Sequence, residues 1–136
     1  MTAYLDTSSL VKLYVQEEGS QQIVSLVADA DVVTCSAVTY AECRAALARR
    51  RRERTLSAPD LPAIVALLDA DWQRFAVVDA TNQIARRAGE LADRFNLRGF
   101  DAIHLASFEV VLERAGDEVM FSTADDTLAR AARRLG

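Results

Sequence analysis

The chain is poor in cysteine, glycine and proline, which excludes several kinds of protein. Its 136 residues include two cysteines, five glycines and two prolines. Two cysteines cannot build a disulfide-rich scaffold, and Cys35 and Cys43 form neither a CxxC pair nor a zinc-binding pattern. We therefore expect two buried free thiols in a reducing cytosol. The sequence contains no low-complexity stretch, linker or internal repeat.

Long hydrophobic runs are also missing. No segment approaches the ~20 consecutive apolar residues that a membrane-spanning helix needs. The opening residues MTAYLDTSSL contain no basic stretch followed by an apolar core, which is the pattern of a secretory signal. We therefore expect a cytoplasmic protein that does not engage a membrane.

Lysine is nearly absent from the chain, and Lys12 is the only one. Positive charge therefore comes almost entirely from arginine, and the net charge is −4. This balance predicts no general electrostatic attraction of the whole chain to nucleic acid. A local exception is the group that we call the arginine tract, which consists of Arg49, Arg50, Arg51, Arg52 and Arg54.

What the chain does contain is enough apolar sequence for one packed domain over residues 1–136. Hydrophobic residues make up 51% and charged residues 26% of it, which is typical of a globular protein. Four short apolar runs, at residues 2–6, 32–35, 75–78 and 119–122, have the character of buried strands separated by helices. This alternation predicts an α/β fold, in which a central, mostly parallel sheet of four to five short strands lies between two layers of helices.

Apolar spacing and capping residues predict how the helices begin and pack. The long helix that follows Ser36 and runs into the arginine tract is expected to bury Val38, Ala41, Ala45 and Ala48. The predicted N-caps are Ser8 or Ser9, Ser36, Thr81 or Asn82, and Thr123.

Four acids in or beside apolar sequence are the candidate site residues, namely Asp6, Glu42, Asp101 and Asp125. Each falls near the start of a helix or the end of a predicted strand. If the strands are parallel, these acids converge at the carboxyl edge of the sheet, where open α/β sheets place their sites. Converging carboxylates repel one another and raise each other's pKa. A divalent cation that prefers oxygen ligands, such as Mg²⁺ or Mn²⁺, relieves that repulsion.

Each of these acids also has a purely structural interpretation. Asp6, Asp101 and Asp125 stand at or near helix N-termini, where caps and the helix dipole favour acids. Glu42 lies either on the core face of its helix or at the edge of that face, with its head group in water. His104, one turn after Asp101, is a candidate general base, but the sequence offers it no orienting partner and no nucleophile.

The joint placement of the acids favours metal-assisted hydrolysis of phosphodiester bonds. One or two divalent ions held by carboxylates activate a water, orient the phosphate and stabilise the leaving oxygen. Aspartyl-phosphate chemistry is a rival function. However, Ser8 stands where a phosphatase has its second acid, and Lys12 comes too early in the chain for the lysine of a receiver domain. A non-catalytic binding module with the same fold is the second rival.

Four phrases together resemble the PIN-domain ribonucleases, and among them the VapC toxins of bacterial toxin–antitoxin pairs. The phrases are YLDTSSLVKLY, SAVTYAE, RGFDAIHLA and FSTADDTLARAA. Their order, their spacing and the chain length fit this family, so the resemblance covers essentially the whole chain. The first and third phrases are the more specific ones.

This resemblance implies a PIN-like fold and a Mg²⁺- or Mn²⁺-dependent endoribonuclease that acts on single-stranded RNA. It assigns catalytic and metal-binding roles to Asp6, Glu42 and Asp101, and makes Asp125 the fourth and more variable acid. It also implies a homodimer and a cognate VapB-type antitoxin that inserts a segment into the active-site groove. A catalytically inactive PIN-like binding or regulatory module is the alternative function.

The arginine tract has three interpretations. It is a solvated helix end at which cations oppose the dipole, a track that leads RNA phosphates to the acids, or a docking surface for an acidic antitoxin. The aromatic residues are interpreted as core or dimer contacts, because they are not interleaved with the basic residues as in a single-strand binding groove.

Overall fold

The computed structural model describes residues 1–116 and 118–135. The strands are β1 (Thr2–Leu5), β2 (Val32–Ser36), β3 (Ala76–Val78) and β4 (Val119–Ser122). The helices are α1 (Thr7–Val11), α2 (Ser20–Asp29), α3 (Ala37–Arg52), α4 (Asp60–Trp72), α5 (Asn82–Phe95), α6 (Gly99–Ala115) and α7 (Asp126–Arg133).

The four strands form one parallel sheet in the order β3-β2-β1-β4. This confirms the predicted α/β fold. Neighbouring parallel strands need a crossover connection, and helices supply it between each strand and the next. Leu5 pairs with Ser122 at the carboxyl end of the two strands, and the Asp6 amide then donates to the Ser122 carbonyl at 3.1 Å. The end of β1 therefore lies directly beside the end of β4.

Two hydrophobic cores cover the two faces of the sheet. Tyr4 and Leu5 are adjacent in β1 and point to opposite faces, and both are fully buried. Tyr4 belongs to the core that contains α5, α6 and α7 residues, whereas Leu5 belongs to the core formed with α1, α3 and α4. The predicted three-layer arrangement of helices, sheet and helices follows from this alternation.

The predicted inner face of α3 is wrong, because the buried face lies on roughly the opposite side of the helix. The helix buries Thr39, Cys43 and Leu47, whereas Ala41 and Ala45 are exposed. With ~100° of rotation per residue in a helix of 3.6 residues per turn, the predicted and observed faces are about 180° apart. Alanine contributes little apolar area, so the larger Cys43 and Leu47, four residues apart, decide which face packs.

Two predicted N-caps are confirmed and two are replaced by acids. Ser36 and Thr81 cap α3 and α5 with their hydroxyl oxygens. However, α1 is capped by Asp6 rather than by Ser8 or Ser9, and α7 is capped by Asp125 rather than by Thr123. Ser8 lies inside the first turn of α1 and Thr123 lies three residues before the start of α7, and both hydroxyls donate to Asp6.

Both cysteines are free and buried, as the composition predicts. Burial raises the pKa of the Cys43 thiol to about 12, and it raises the pKa of Cys35 still further. Neither thiol is therefore ionised at neutral pH. In the two described stretches of the chain, none of the helices combines the length and apolar character required to span a membrane.

Candidate active site

The four sequence-predicted acids come from four different segments near the carboxyl ends of the strands. Asp6 follows β1 directly, and Asp125 follows β4 after two residues. Glu42 lies in the second turn of α3, which leaves β2, and Asp101 lies in the first turn of α6. The charges of Asp125 and Asp6 both act on the carboxyl group of Asp101, so these three acids face a common region.

Asp6 is nearly completely buried, with 5% of its surface exposed. Its Oδ1 accepts hydrogen bonds from the Ser8 hydroxyl at 2.7 Å and from the Ser9 amide at 3.0 Å. Its Oδ2 accepts a short hydrogen bond from the Thr123 hydroxyl. Asp6 is thus both the cap of α1 and the acid that links β1 to the segment after β4, so the structural and functional interpretations of this residue do not exclude each other.

Glu42 stands at the edge of the buried face of α3, with 29% of its side chain exposed. Its Oε1 accepts a hydrogen bond from the Thr7 hydroxyl at 2.6 Å and lies 2.9 Å from Nε2 of His104. Burial acts to raise the pKa of Glu42, but the hydrogen bonds from His104 and Thr7 outweigh it and hold that pKa below its usual value. Glu42 is therefore an ionised carboxylate at neutral pH.

His104 has partners that the sequence did not indicate. It is 2% exposed, and its Nδ1 lies 3.0 Å from the Tyr4 hydroxyl while its Nε2 faces Glu42. Tyr4 is the residue that sequence reasoning missed as part of the site, since it was interpreted as a core or dimer contact. A usable signal was present, because a buried tyrosine in an apolar strand needs a hydrogen-bond partner for its hydroxyl.

Asp101 lacks the support that Asp6 and Glu42 receive. In residues 1–116 and 118–135 no hydrogen bond reaches its carboxylate, and its nearest cation is the exposed Arg98, 3.8 Å away. Burial raises the pKa of Asp101, and so do the negative charges of Asp125 and Asp6, against the opposing effects of Arg98 and His104. Its charge is the least compensated among the four acids.

Asp125 is held only through its role as a cap. Its Oδ1 accepts from the Leu128 amide at 2.9 Å, and its own amide donates to the Thr123 hydroxyl oxygen at 3.0 Å. Since the same Thr123 hydroxyl donates to Asp6, this side chain bridges two of the acids. Thr123 was predicted as a helix cap, and its actual function is to tie the end of β4 to the end of β1.

The donor set suits a hard divalent cation in its chemistry but is not arranged as a closed cage. All four acids offer carboxylate oxygens, which are the ligands that Mg²⁺ and Mn²⁺ prefer. The raised pKa of Asp101 reflects its burial first and then the charges of Asp125 and Asp6, and a cation would favour its ionised form. Within the described part of the chain, no three acidic, histidine or cysteine side chains stand close enough together to hold an ion as they are.

The arginine tract lies at the far end of α3 from the strand edge. Arg50 is paired with Glu17 at 2.7 Å, and this pair ties the tract to the loop before α2. Arg49, Arg51, Arg52 and Arg54 are exposed to solvent.

A groove of about 1200 Å³ lies elsewhere on the molecule, and it is not the candidate site. It runs past Thr2, Val32 and Ala76 at the amino ends of the strands, and none of the four acids lines it. Concavity alone therefore does not identify the chemistry of this chain, whereas the placement of the acids does.

Comparison with known proteins gives a consistent family. The PIN domain family model matches residues 3–134. Two relatives from Mycobacterium tuberculosis, ribonuclease VapC45 of strain CDC 1551 / Oshkosh and ribonuclease VapC49 of strain H37Rv, are each 38% identical over 108 residues, covering 76% of this chain and 72% of the relative.

Solved structures agree with this fold. VapC20 from Mycobacterium tuberculosis, described as a toxin that cleaves the sarcin–ricin loop, superimposes with a TM-score of 0.66 at 20% identity, covering 94% of each chain. A toxin–antitoxin complex from Klebsiella pneumoniae matches with a TM-score of 0.59 at 20% identity, covering 91% of this chain and 88% of that one. VapBC2 from Rickettsia felis, bound to a DNA fragment from its promoter, matches with a TM-score of 0.58 at 13% identity, covering 92% and 100%.

Proposed function

This chain belongs to the PIN-domain family, and from that premise we propose that it is the toxin of a type II toxin–antitoxin system, a Mg²⁺- or Mn²⁺-dependent endoribonuclease. In this proposal residues 1–136 form one PIN-like domain that hydrolyses phosphodiester bonds of cellular RNA in the cytoplasm. The 38% identity to two proteins named ribonuclease VapC supports the ribonuclease activity.

The observation that carries the proposal is the placement of the partly buried Asp101 beside Asp125 and Asp6, where burial and these two charges raise its pKa although Arg98 lies 3.8 Å away. A protein stabilised only for its fold gains nothing from placing Asp101 where burial and two other carboxylates raise its pKa. A nuclease does gain from them, because like charges at one edge of a sheet create affinity for a cation. Asp6, Glu42, Asp101 and Asp125 are accordingly the proposed metal-binding and catalytic residues.

A bound Mg²⁺ or Mn²⁺ ion would supply charge neutralisation at the phosphate and a more acidic water. The residues of the chain hold the carboxylates and the RNA phosphate in place. Asp6 is held at both oxygens by Ser8, Ser9 and Thr123, so it cannot swing away from the strand end. Arg98, whose side chain is 89% exposed beside Asp101, is placed to contact a phosphate of the approaching RNA.

The proposed partners are an RNA substrate, a second copy of the chain and a VapB-type antitoxin. Solved neighbours include a toxin–antitoxin complex and a VapBC2 assembly, which supports the antitoxin. Co-expression with the protein encoded beside this chain should relieve growth inhibition and should give a complex whose mass reports the stoichiometry. The homodimer is tested by light scattering on the purified toxin.

The first test is RNA cleavage by the purified, antitoxin-free chain in Mg²⁺, in Mn²⁺ and in EDTA. We expect cuts in both metals and none in EDTA, with a loss of at least about 100-fold in Asp101→Asn, because the ion supplies several kcal/mol of transition-state stabilisation. Asp126→Asn is the matched control, since Asp126 is an exposed acid in the first turn of α7 that is not part of the site.

Two results would contradict the proposal. Cleavage that persists in EDTA would exclude the metal mechanism. Absence of cleavage by folded protein in both metals, on a pool that contains structured and single-stranded RNA, would favour the alternative function, a catalytically inactive PIN-like binding or regulatory module.

A further inference from the structure

A buried chain of hydrogen bonds leads from the sheet core to Glu42. Tyr4 and His104 are both almost completely buried, and the Tyr4 hydroxyl lies 3.0 Å from His104 Nδ1. His104 Nε2 lies 2.9 Å from Oε1 of Glu42. The Thr7 hydroxyl oxygen lies farther from Nε2, at 3.4 Å, so Glu42 is the nearer partner of this nitrogen and Tyr4 is the partner of Nδ1.

Only one hydrogen arrangement satisfies every member of this chain around a neutral imidazole. Glu42 is ionised and can only accept, so the hydrogen of His104 must be on Nε2. The Nδ1 atom is then an acceptor, and it receives the hydrogen of the Tyr4 hydroxyl. Burial raises the pKa of Tyr4 well above its usual value, so this hydroxyl keeps its proton and donates.

We propose that Tyr4 and His104 are positioning residues, which set the orientation of the Glu42 carboxylate at the metal-binding edge. This inference rests on the proposed function, since it concerns the same site. Neither residue touches substrate or metal in this proposal, and both act through Oε1 of Glu42. Within the described residues the hydrogen bonds of this carboxylate all involve Oε1, which leaves Oε2 as the oxygen for a cation.

Glu42 needs this help more than Asp6 does. A glutamate side chain has three rotatable bonds and two flexible methylene groups, so an unsupported carboxylate samples many positions. Asp6 is shorter and is attached directly to the end of β1. Metal ligands in proteins are commonly oriented by such outer hydrogen bonds, whose loss weakens metal binding.

The chain of hydrogen bonds also connects elements that lie far apart in sequence. Tyr4 is on β1, Glu42 is on α3, and His104 is on α6, one turn after Asp101. The position of His104 therefore couples the helix that carries Asp101 to the helix that carries Glu42. Thr7 adds a second donor to the same Oε1 at 2.6 Å.

Two substitutions of His104 separate its two hydrogen bonds. A glutamine amide nitrogen reaches the place of Nε2, whereas an asparagine amide reaches only the place of Nδ1. We expect His104→Gln to retain Mn²⁺ affinity within about 3-fold, and His104→Asn to lose about 10–100-fold, as for other outer partners of metal ligands. Mn²⁺ affinity is measured by electron paramagnetic resonance, because the free ion gives a signal that binding broadens.

Tyr4→Phe is the milder companion variant. It keeps the ring that stacks on Phe121 at 5.3 Å between centroids and removes only the hydroxyl. We expect a loss of Mn²⁺ affinity of about 10-fold or less, with folding retained. Thermal unfolding of every variant shows whether a loss of affinity merely follows a loss of structure.

The hydrogen arrangement has a readout that needs neither metal nor RNA. His104 is the only histidine of the chain, so the imidazole ¹⁵N spectrum of untagged protein contains a single ring. We expect a protonated Nε2 and an unprotonated Nδ1 in the wild type, and a change of both nitrogen shifts in Glu42→Gln and in Tyr4→Phe. A wild-type ring protonated at Nδ1 would overturn the inference.

The outcomes distinguish this inference from the proposed function. If the wild type binds no Mn²⁺ and cuts no RNA, the proposed function fails and the positioning function fails with it. If the wild type binds Mn²⁺ and cuts RNA, but the Mn²⁺ affinities of His104→Asn and His104→Gln are equal to each other, only the positioning function is wrong. Ordered affinities, with Gln close to the wild type and Asn weaker, support it.

Discussion

The two pairs of acids in this site are built differently. Asp6 and Glu42 are supported by hydroxyl, amide and imidazole donors, and the pKa of Glu42 is lowered as a result. Asp101 has an exposed arginine at 3.8 Å and a raised pKa, and Asp125 is bound only as a helix cap. We call the first the supported pair and the second the unsupported pair.

This difference shows that acids at one edge of a sheet can stabilise the fold at some positions and provide the negative charge for a cation at others. The supported pair contributes to the fold, because its oxygens satisfy donors from α1 and from the segment after β4. In the unsupported pair it is Asp101 that costs folding free energy in the absence of a cation, because its charge is partly buried and is repelled by Asp125 and Asp6. Substitutions in the two pairs should therefore have similar effects on activity and opposite effects on the stability of the metal-free protein.

The largest effect is expected for Asp6→Asn. Cleavage should fall by at least about 100-fold through loss of metal binding. The free energy of unfolding should also fall by about 1–3 kcal/mol. The reason is that asparagine has a nitrogen in place of one carboxylate oxygen, and this nitrogen cannot accept the hydrogen bond from the Thr123 hydroxyl. Urea unfolding and RNA cleavage measure the two effects. An Asp6→Asn protein as stable as the wild type would show that these hydrogen bonds contribute nothing net.

Asp101→Asn should cause a similar loss of cleavage without the loss of stability. At pH 7 the metal-free variant should equal the wild type or exceed it by up to about 1 kcal/mol. A raised pKa in the folded state means that ionisation costs stability above that pKa, and that this cost disappears below the unfolded pKa of about 3.9. The gain should therefore shrink as the pH is lowered from 7 to 3 in EDTA. A variant less stable than the wild type at pH 7 would contradict the contrast between the pairs.

Thr7→Val tests how much one hydrogen-bond donor contributes to Glu42 in the supported pair. The substitution keeps the branched shape and removes the hydroxyl that donates to Glu42 at 2.6 Å, so we expect cleavage to fall about 10-fold. The pKa of Glu42 should rise. A glutamate whose pKa is lowered by folding stabilises the folded protein at pH values above its unfolded pKa of about 4.3. The loss of stability in the variant should therefore be present at pH 7 and vanish in acid.

Thr7→Ser is the matched control, because it retains the hydroxyl. It should behave like the wild type in cleavage and in the pH dependence of unfolding. Equal losses in the valine and serine variants would assign the effect to packing of the methyl group instead of to the hydrogen bond.

The smallest effect is expected in the arginine tract, away from both pairs. Arg49→Gln, Arg51→Gln and Arg52→Gln together remove exposed charge and leave the Arg50–Glu17 pair intact. If the tract binds RNA, the slope of log affinity against log salt should decrease by about 0.7 for each phosphate that the variant no longer neutralises. The same substitutions at Arg86, Arg114 and Arg133, which are also exposed, give a control with equal net charge. Identical slopes would support the solvated helix end, provided that antitoxin affinity is also unchanged.

Local sequence patterns predicted the elements of the fold well. The apolar run at 119–122 coincides with β4, and the run at 32–35 lies within β2, because apolar runs report which residues are buried. The orientation of α3 was not predictable in this way, since Ala41 and Ala45 have the same polarity pattern as a buried face. Packing against the rest of the core selected Cys43 and Leu47.

The sequence predicted the four acids of the candidate site, but it did not predict the residues that donate hydrogen bonds to them. Asp6, Glu42, Asp101 and Asp125 stand out because charged residues beside apolar runs are costly and need a reason. The donors that distinguish one acid from another come from remote positions. Thr123 is 117 residues from Asp6, and His104 is 62 residues from Glu42, so no local pattern could pair them.

The sequence by itself determined the alternation of strands and helices, the parallel sheet and the four acids, because each depends on the polarity and spacing of neighbouring residues. Only the tertiary structure decided which acids are supported and which remain in repulsion. The reason is physical: hydrogen bonds form over about 3 Å between atoms that folding brings together. The pairing of β1 with β4 and the packing of α6 against the sheet are what bring Thr123 to Asp6 and His104 to Glu42.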